Sequence, residues 1–262
     1  MLIFFHTYIP SPILITVGFV SIYWYGLLLA AALLAGYWLA GFLAKRKNLP
    51  VGLIESLYIN LVIWGFAGAR LYHVLNEWGY YWRNPAEIIM VWHGGLAIHG
   101  AIIAGLGALY YSARRRKLVF WSLLDLYSLP LLLGQVIGRW GNYFNQELFG
   151  QPTNLPWGIP IDIANRPAGF EQFNYFHPAF LYESLWNLGV FVFLWFLFKK
   201  QKRAAGTIFW SYVGLYSLGR FSVELLRIDS VPILFGARLP LAVSALLIIL
   251  AATMFWRVKR RT

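Results

Sequence analysis

Seven apolar stretches follow one another along the chain, at residues 15–43, 53–75, 97–113, 120–138, 179–198, 206–226 and 238–256. A helix needs about 20 mostly apolar residues to cross the hydrocarbon layer of a membrane. Each stretch therefore predicts a transmembrane helix, the third and fourth being the shortest. Ten-residue segments of alternating polarity, which would announce a membrane barrel, do not occur. Polar residues collect between the stretches, and two gaps are long enough to hold structure. Residues 76–96 carry Trp78, Tyr80, Tyr81, Trp82 and Trp92, an aromatic set suited to the membrane interface. Residues 139–178 carry Pro152, Pro156, Pro160, Pro167 and Pro178 with several glycines, which predicts a folded cap of turns. The pattern is that of an all-α, polytopic membrane protein. It has seven transmembrane helices and a single integral-membrane domain over residues 1–262, with a small extracytoplasmic cap.

Composition agrees. The chain is 60% apolar, 19% aromatic and 12% charged, with a mean hydropathy of +0.60. An ordinary soluble domain is about a quarter charged. The net charge of +12 suggests nucleic acid, but its placement excludes that partner. Fifteen of the 22 basic residues fall in four clusters, at 45–47, 114–117, 199–203 and 257–261. These follow the first, third, fifth and seventh stretches. Cationic residues mark the cytoplasmic ends of spans and lie against anionic headgroups, so membrane lipids are the partner they imply. The N-terminus is then outside and the C-terminus in the cytoplasm. No basic segment with a small-residue cleavage site opens the chain, so the first span is expected to be retained.

The seven remaining basic residues are Arg70, Arg83, Arg139, Arg166, Arg220, Arg227 and Arg238. All are arginines, and all fall toward the outer side. A guanidinium's fixed charge and planar fork suit phosphate or carboxylate, which points to an anionic ligand there. The chain has no cysteine, which excludes a thiol nucleophile, a disulfide and a thiolate metal site. No His/carboxylate cluster at metal-ligand spacing appears either, and no metal or diffusible cofactor is expected.

The polar residues inside the apolar stretches mark the candidate site, because charged and amide groups at that depth normally face a partner, water or a substrate. The densest set is GRWGNYFNQELFG at 138–150, with Arg139, Asn142, Asn145, Gln146 and Glu147. HGGLAIHG at 93–100 places two glycines before a helix, so that its amides can approach a ligand closely. His99 falls in that helix's first turn, where the positive end of the dipole disfavours imidazolium and leaves a neutral proton acceptor. A histidine hydrogen-bonded between helices is the plainer reading. Glu183 lies in the fifth stretch, just after His177-Pro178. Arg220, Glu224 and Arg227 share one face of the sixth. Glu183 and Glu224 fit helix-tying ion pairs as well as they fit catalysis. Arg139, Arg220 and Arg227 exceed Glu147 and Glu224 by one positive charge, which a phosphate would satisfy.

These motifs, taken together, resemble the bacterial prolipoprotein diacylglyceryl transferase family. The resemblance rests on YWYGL at 23–27, GGLAIHG at 94–100, GRWGNYFNQELFG at 138–150, HPAFLYE at 177–183 and RFSVELLR at 220–227, in the family's order and over nearly the whole chain. Tyr25, His99, Arg139, Asn142, Glu147, Gly150, Glu183, Arg220 and Glu224 match positions the family uses. There are departures: Gln146 stands where the family usually has glycine, HPSQLYE appears as HPAFLYE, and Tyr23 replaces a frequent arginine. The resemblance implies transfer of the diacylglyceryl group of phosphatidylglycerol to the lipobox cysteine of a prolipoprotein signal peptide, in the bacterial plasma (inner) membrane with the site toward the extracytoplasmic side. It implies His99 as base and Arg139 and Arg220 at the leaving phosphate, with Arg227 a third. Asn142 and Asn145 would hold the headgroup, Glu147 and Glu224 would orient the arginines, and Tyr25, Gly150 and Glu183 would complete the pocket. Three other readings compete. A seven-span receptor or retinal pump is the first, and the absence of lysine from 239–256 opposes retinal. A transporter of an anionic solute is opposed by the one-sided polar residues and the lack of an inverted repeat. Another phospholipid-consuming transferase would share the arginines but need not carry HGGLAIHG.

Overall fold

The computed structural model describes residues 2–200, 203–234 and 236–260; Lys202 and Arg261 of the basic clusters lie outside them. Two compact bodies are formed, Met1–Gly36 with Tyr127–Thr262, and Tyr37–Leu126. In chain order the elements are α1 (Leu2–Thr7), β1 (Ile13–Val17), β2 (Val20–Tyr23), α2 (Trp24–Arg46), α3 (Val51–Asn76) and α4 (Trp78–Tyr81), then two 3-10 turns at Pro85–Ile88 and Val91–His93. There follow α5 (Ile98–Arg115), α6 (Phe120–Phe144), β3 (Ile159–Pro160), a 3-10 turn at Ile163–Asn165, and β4 (Tyr175–Phe176). The chain continues with α7 (Ala179–Lys199), α8 (Thr207–Glu224), β5 (Ile233–Leu234), β6 (Ala237–Arg238) and α9 (Leu239–Lys259).

Among the described residues seven helices reach eighteen residues, one in each predicted stretch. Five of them, α2, α3, α6, α7 and α9, are long and apolar enough to cross a membrane, so the chain is a mostly helical, multi-pass membrane protein. The eighteen residues of α5 end in Arg114 and Arg115, and those of α8 include Arg220 and Glu224.

Two boundaries differ from the sequence expectation. The first stretch, expected to be helical from residue 15, opens instead as an antiparallel hairpin of β1 and β2. Ile13, Ile15, Thr16, Val17, Val20 and Ile22 are β-branched and favour extended backbone. Gly18 supplies the positive φ of 61° at the turn. The period of two was hidden because both faces of the hairpin are apolar. Among the described residues the all-α expectation therefore gains three two-stranded sheets, β1-β2, β3-β4 and β5-β6. The second difference is that α6 runs through Phe144, six residues past the expected end at 138. Arg139 and Asn142 consequently sit at i and i+3 on one helix, not on a loop.

Within the first body, an aromatic core of Tyr143, Phe149, Ile159, Ile161, Phe176 and Phe180 joins the end of α6 to the β3-β4 pair and the start of α7. Helix α8 closes on its neighbours through small residues. Gly219 lies under the Trp186 ring of α7, whose Nε1 donates to Leu215 O (2.9 Å), and a Cβ at Gly214 would stand 3.3 Å from Ala251 of α9. Within the second body α3 and α5 pack backbone to backbone. A Cβ on Gly68 or Gly100 would run into the facing main chain, so neither tolerates a side chain without moving the helices apart.

Candidate active site

In the first body, α6, α7, α8 and the segment leading into α9 converge on one continuous chain of ion pairs. Arg139 Nη2 on α6 lies 2.6 Å from Glu183 Oε2 on α7. Arg220 on α8 binds the other oxygen of Glu183 (3.0 Å) and also Glu224 Oε2 (2.6 Å), one turn further along its own helix. Glu224 is fully buried; Arg238, just before α9, reaches its Oε1 at 2.8 Å, and Arg227 approaches at 3.8 Å. Asp229 closes the far end with a two-pronged pair to Arg227, 2.7 and 2.9 Å, and a contact to Arg238 at 3.4 Å. Such a buried network survives only because every carboxylate is matched by guanidinium. Arg139 and Arg220 keep side-chain exposures of 19% and 16%, while Glu183 has 5% and Glu224 none. Arg238 and Asp229, at 26% each, are also partly open, so the arginines Arg139, Arg220 and Arg238 with Asp229 form the open edge of the network, and Glu183 and Glu224 are its floor.

Asn142 extends the chain in a neutral direction. Its Oδ1 accepts from Arg139 Nη1 (3.3 Å) and its Nδ2 donates to Glu147 Oε1 (2.8 Å), which also accepts from Asn145 Nδ2 (3.3 Å). Glu147 touches no arginine directly, so any orienting effect it has on Arg139 passes through Asn142. The charge count changes accordingly. Among directly paired groups, Arg139, Arg220, Arg227 and Arg238 face Glu183, Glu224 and Asp229, a surplus of one. Counting the exposed Glu147 brings the total to zero. The expected surplus holds for the ion-paired core only, and with a different membership.

The remaining residues of 138–150 fix how the helix ends. Gln146 adopts φ 53°, a left-handed conformation that favours glycine. Its side chain compensates with two hydrogen bonds: Nε2 donates to Pro10 O (2.7 Å) and Oε1 accepts from the Asp162 amide (2.7 Å). The departure at 146 therefore ties the N-terminal segment to the cap while the backbone keeps the glycine-like turn. Gly150 is buried where three segments cross. Its amide donates to His177 O (2.9 Å), and a Cβ there would stand 2.8 Å from His177 Cβ and 3.1 Å from Leu226 O. His177 Nδ1 lies 3.0 Å from the Tyr182 hydroxyl, and burial lowers the imidazole's pKa by disfavouring its charged form. Tyr25 packs on α6, where a Cβ at Gly141 would come within 2.6 Å of its ring.

His99 belongs to the second body. It lies in the first turn of α5, exposed, with its ring 5.9 Å from that of Tyr72. Among the described residues no side chain caps this helix start. Among the described residues no group of three His, Asp or Glu side chains is arranged to hold a metal ion.

Of the seven arginines expected on the outer side, four form the network: Arg139, Arg220 and Arg227, and also Arg238, which with Asp229 the sequence reading did not place in the site. No local signal could have chosen them, since Arg238 and Glu224 meet only through the fold of the α8–α9 connection. Arg166 binds main chain instead of an anion, donating to Ile161 O and Glu171 O. Glu183→Gln is expected to cost about 1–3 kcal/mol of stability, because it removes the charge that Arg139 and Arg220 share. Thermal unfolding of the detergent-solubilised variant checks this.

The helices and the arginine–carboxylate network define a multi-pass membrane protein with a charged, hydrogen-bonded cluster built from three helix ends. The family model for prolipoprotein diacylglyceryl transferase matches residues 12–257. Relatives named phosphatidylglycerol–prolipoprotein diacylglyceryl transferase are similar over most of their length. That of Trichormus variabilis is 49% identical over 226 residues, covering 84% of this chain and 80% of its own. That of Gloeobacter violaceus is 42% identical over 255 residues, covering 97% and 94%. The chain belongs to the prolipoprotein diacylglyceryl transferase family, as its motifs imply.

Proposed function

We propose that this protein transfers the diacylglyceryl group of phosphatidylglycerol to the lipobox cysteine of a prolipoprotein, the first step of lipoprotein maturation. The names of its relatives support this reaction. The observation that carries the site is the pair of partly open arginines, Arg139 and Arg220, sharing the buried Glu183. In the reaction the substrate's sulfur attacks the glycerol carbon that bears the phosphate. The carbon–oxygen bond breaks, a thioether forms, and glycerol phosphate leaves with the electron pair. The nucleophile belongs to the substrate, so the enzyme needs no cysteine. A free thiol titrates near 8.5, so a base speeds formation of the thiolate, and His99 is assigned that role. Negative charge gathers on the departing phosphate. Prepositioned guanidinium groups stabilise it without reorganising, the part of Arg139 and Arg220 with Arg227 behind them. Asn142 and Asn145 offer amides to the glycerol headgroup, Glu147 holds those amides, Glu183 and Glu224 hold the arginines, and Tyr25 and Gly150 shape the pocket wall.

The protein is assigned to the bacterial inner membrane with seven spans, the N-terminus outside, the C-terminus in the cytoplasm, and the arginine network toward the extracytoplasmic side. The basic clusters after α2, α5, α7 and α9 support this orientation. The native chain lacks cysteine, so single cysteines report topology cleanly. Gln172→Cys is expected to react with a membrane-impermeant maleimide in intact cells, and Lys200→Cys only after lysis. The reverse labelling would invert the orientation.

The reaction is tested on purified, detergent-solubilised protein with phosphatidylglycerol and a lipobox peptide, followed by mass spectrometry. A diacylglyceryl adduct on the cysteine peptide and none on its Cys→Ser counterpart is expected. No adduct from folded protein would leave the fold standing and move the assignment to another phospholipid or to anion transport.

A further inference from the structure

Arg70, on α3 of the second body, was expected to meet an anion, yet it is 7% exposed and binds only main chain. Its Nε donates to Ile88 O (3.0 Å), and Nη1 to Gly94 O (2.6 Å) and Gly95 O (3.0 Å). Its Nη2 donates to Glu87 O, with Met90 O at 3.5 Å. A guanidinium has five N–H groups, and five carbonyls from residues 87–95 occupy them. The Tyr81 ring lies 5.1 Å beneath the guanidinium carbon. With every donor engaged, nothing is left for a phosphate unless the loop lets go.

The loop so held leads straight to His99. Gly94 and Gly95 have φ of 91° and 76°, where a side chain would be strained. At Gly95 a Cβ would also press on the His73 ring (2.6 Å) and on Arg70 Nη1 (2.7 Å). Two residues on, the Ala97 amide donates to Ala69 O of α3 (3.1 Å), and Ile98 opens α5. Gly100 then seats against Gly68. The first turn of α5 is thereby located from both sides, by Arg70 through the loop and by glycine contact through the helix.

We propose that Arg70 is a positioning residue, which fixes the loop at residues 87–97 on α3 and so sets the direction in which His99 leaves the first turn of α5. This rests on the assignment of His99 to the transfer reaction. The planar fork is the essential property: a lysine ammonium keeps the charge but cannot span carbonyls on both sides of the loop.

The full-length protein carrying Arg70→Gln, Arg70→Lys or Gly95→Ala, each shown to be folded by thermal unfolding, is assayed with phosphatidylglycerol and the lipobox peptide. Amide hydrogen exchange is followed over residues 94–101. Misplacing a catalytic group by about 1 Å costs on the order of 10²-fold in rate. A kcat loss of that order is expected for Arg70→Gln, with KM for both substrates within about twofold and faster exchange at 94–101. Arg70→Lys should fail to rescue kcat, and Gly95→Ala should lower it in the same way. A raised KM for phosphatidylglycerol with kcat unchanged would make Arg70 a ligand contact and overturn the proposal. So would wild-type kcat and exchange in folded Arg70→Gln. If none of the three variants folds, Arg70 is a requirement of folding and the positioning role falls. The exchange measurement reads the loop independently of the reaction. Faster exchange together with an inactive wild-type protein would therefore fault the assigned reaction, not the pinning of the loop.

Discussion

Arg139→Ala is expected to lower the rate of diacylglyceryl transfer by roughly 10²–10³-fold, the cost typical of losing one prepositioned stabiliser of a developing oxyanion. The protein should remain folded in the membrane. Arg139 reaches its partners from one side only, Glu183 through Nη2 and Asn142 through Nη1, and Glu183 keeps a second arginine, Arg220, at 3.0 Å. Removing Arg139 therefore leaves no buried carboxylate without a cation. The loss should appear in turnover of the lipobox peptide far more than in the melting temperature. Arg139→Lys is expected to be damaging as well, since a point charge cannot hold Glu183, Asn142 and a phosphate oxygen with one planar group. Near-full activity of the lysine variant, measured by adduct formation in the mass spectrometer, would remove the bidentate argument. A collapse in stability matching the collapse in rate would make Arg139 a structural tie.

The second large effect is expected at His99. His99→Ala should reduce transfer by about 10²–10⁴-fold, the usual contribution of a positioned general base, with stability close to that of the wild type. The side chain is exposed at an uncapped helix start, and its ring meets that of Tyr72 at 5.9 Å without taking part in the packing of Gly68 on Gly100. The loss should shrink as the assay pH rises toward and past the thiol's own range near 8.5, because the substrate then supplies its thiolate unaided. A deficit of the same size across that range would assign His99 to something other than taking the thiol's proton. Near-normal turnover at neutral pH would falsify the base assignment while leaving the family untouched.

Much of this was legible in the residues. Apolar length and basic clusters are local properties of the chain, and among the described residues a helix of eighteen residues or more overlaps each of the seven stretches. The site motifs were legible for a similar reason. Polar side chains stand out within apolar helices, and Arg220 and Glu224 face each other merely by being one turn apart. The hairpin at 13–23 escaped because a strand with two apolar faces has the same hydropathy as a membrane helix. Only its β-branched residues and Gly18 distinguished it. The Glu147 assignment missed its intermediary, since a carboxylate two to five residues from two asparagines can choose among several partners, and only the turn at Gln146 decides which.

The sequence by itself determined the class of the protein: its membrane helices, the polar residues set within them, and the family those residues mark. Tertiary structure alone decided how the arginines divide their work. Arg139, Arg220, Arg227 and Arg238 came to share Glu183, Glu224 and Asp229, while Arg70 and Arg166 were spent on carbonyls. The physical reason is that a guanidinium binds a carboxylate, a phosphate or a backbone oxygen through the same donors. Which acceptor it meets depends on segments up to dozens of residues away. Local spacing accounts for Arg220 with Glu224 and Arg227 with Asp229, but no local pattern encodes the pairing of Arg139 and Arg220 with Glu183, of Arg238 with Glu224, or of Arg70 with its loop carbonyls.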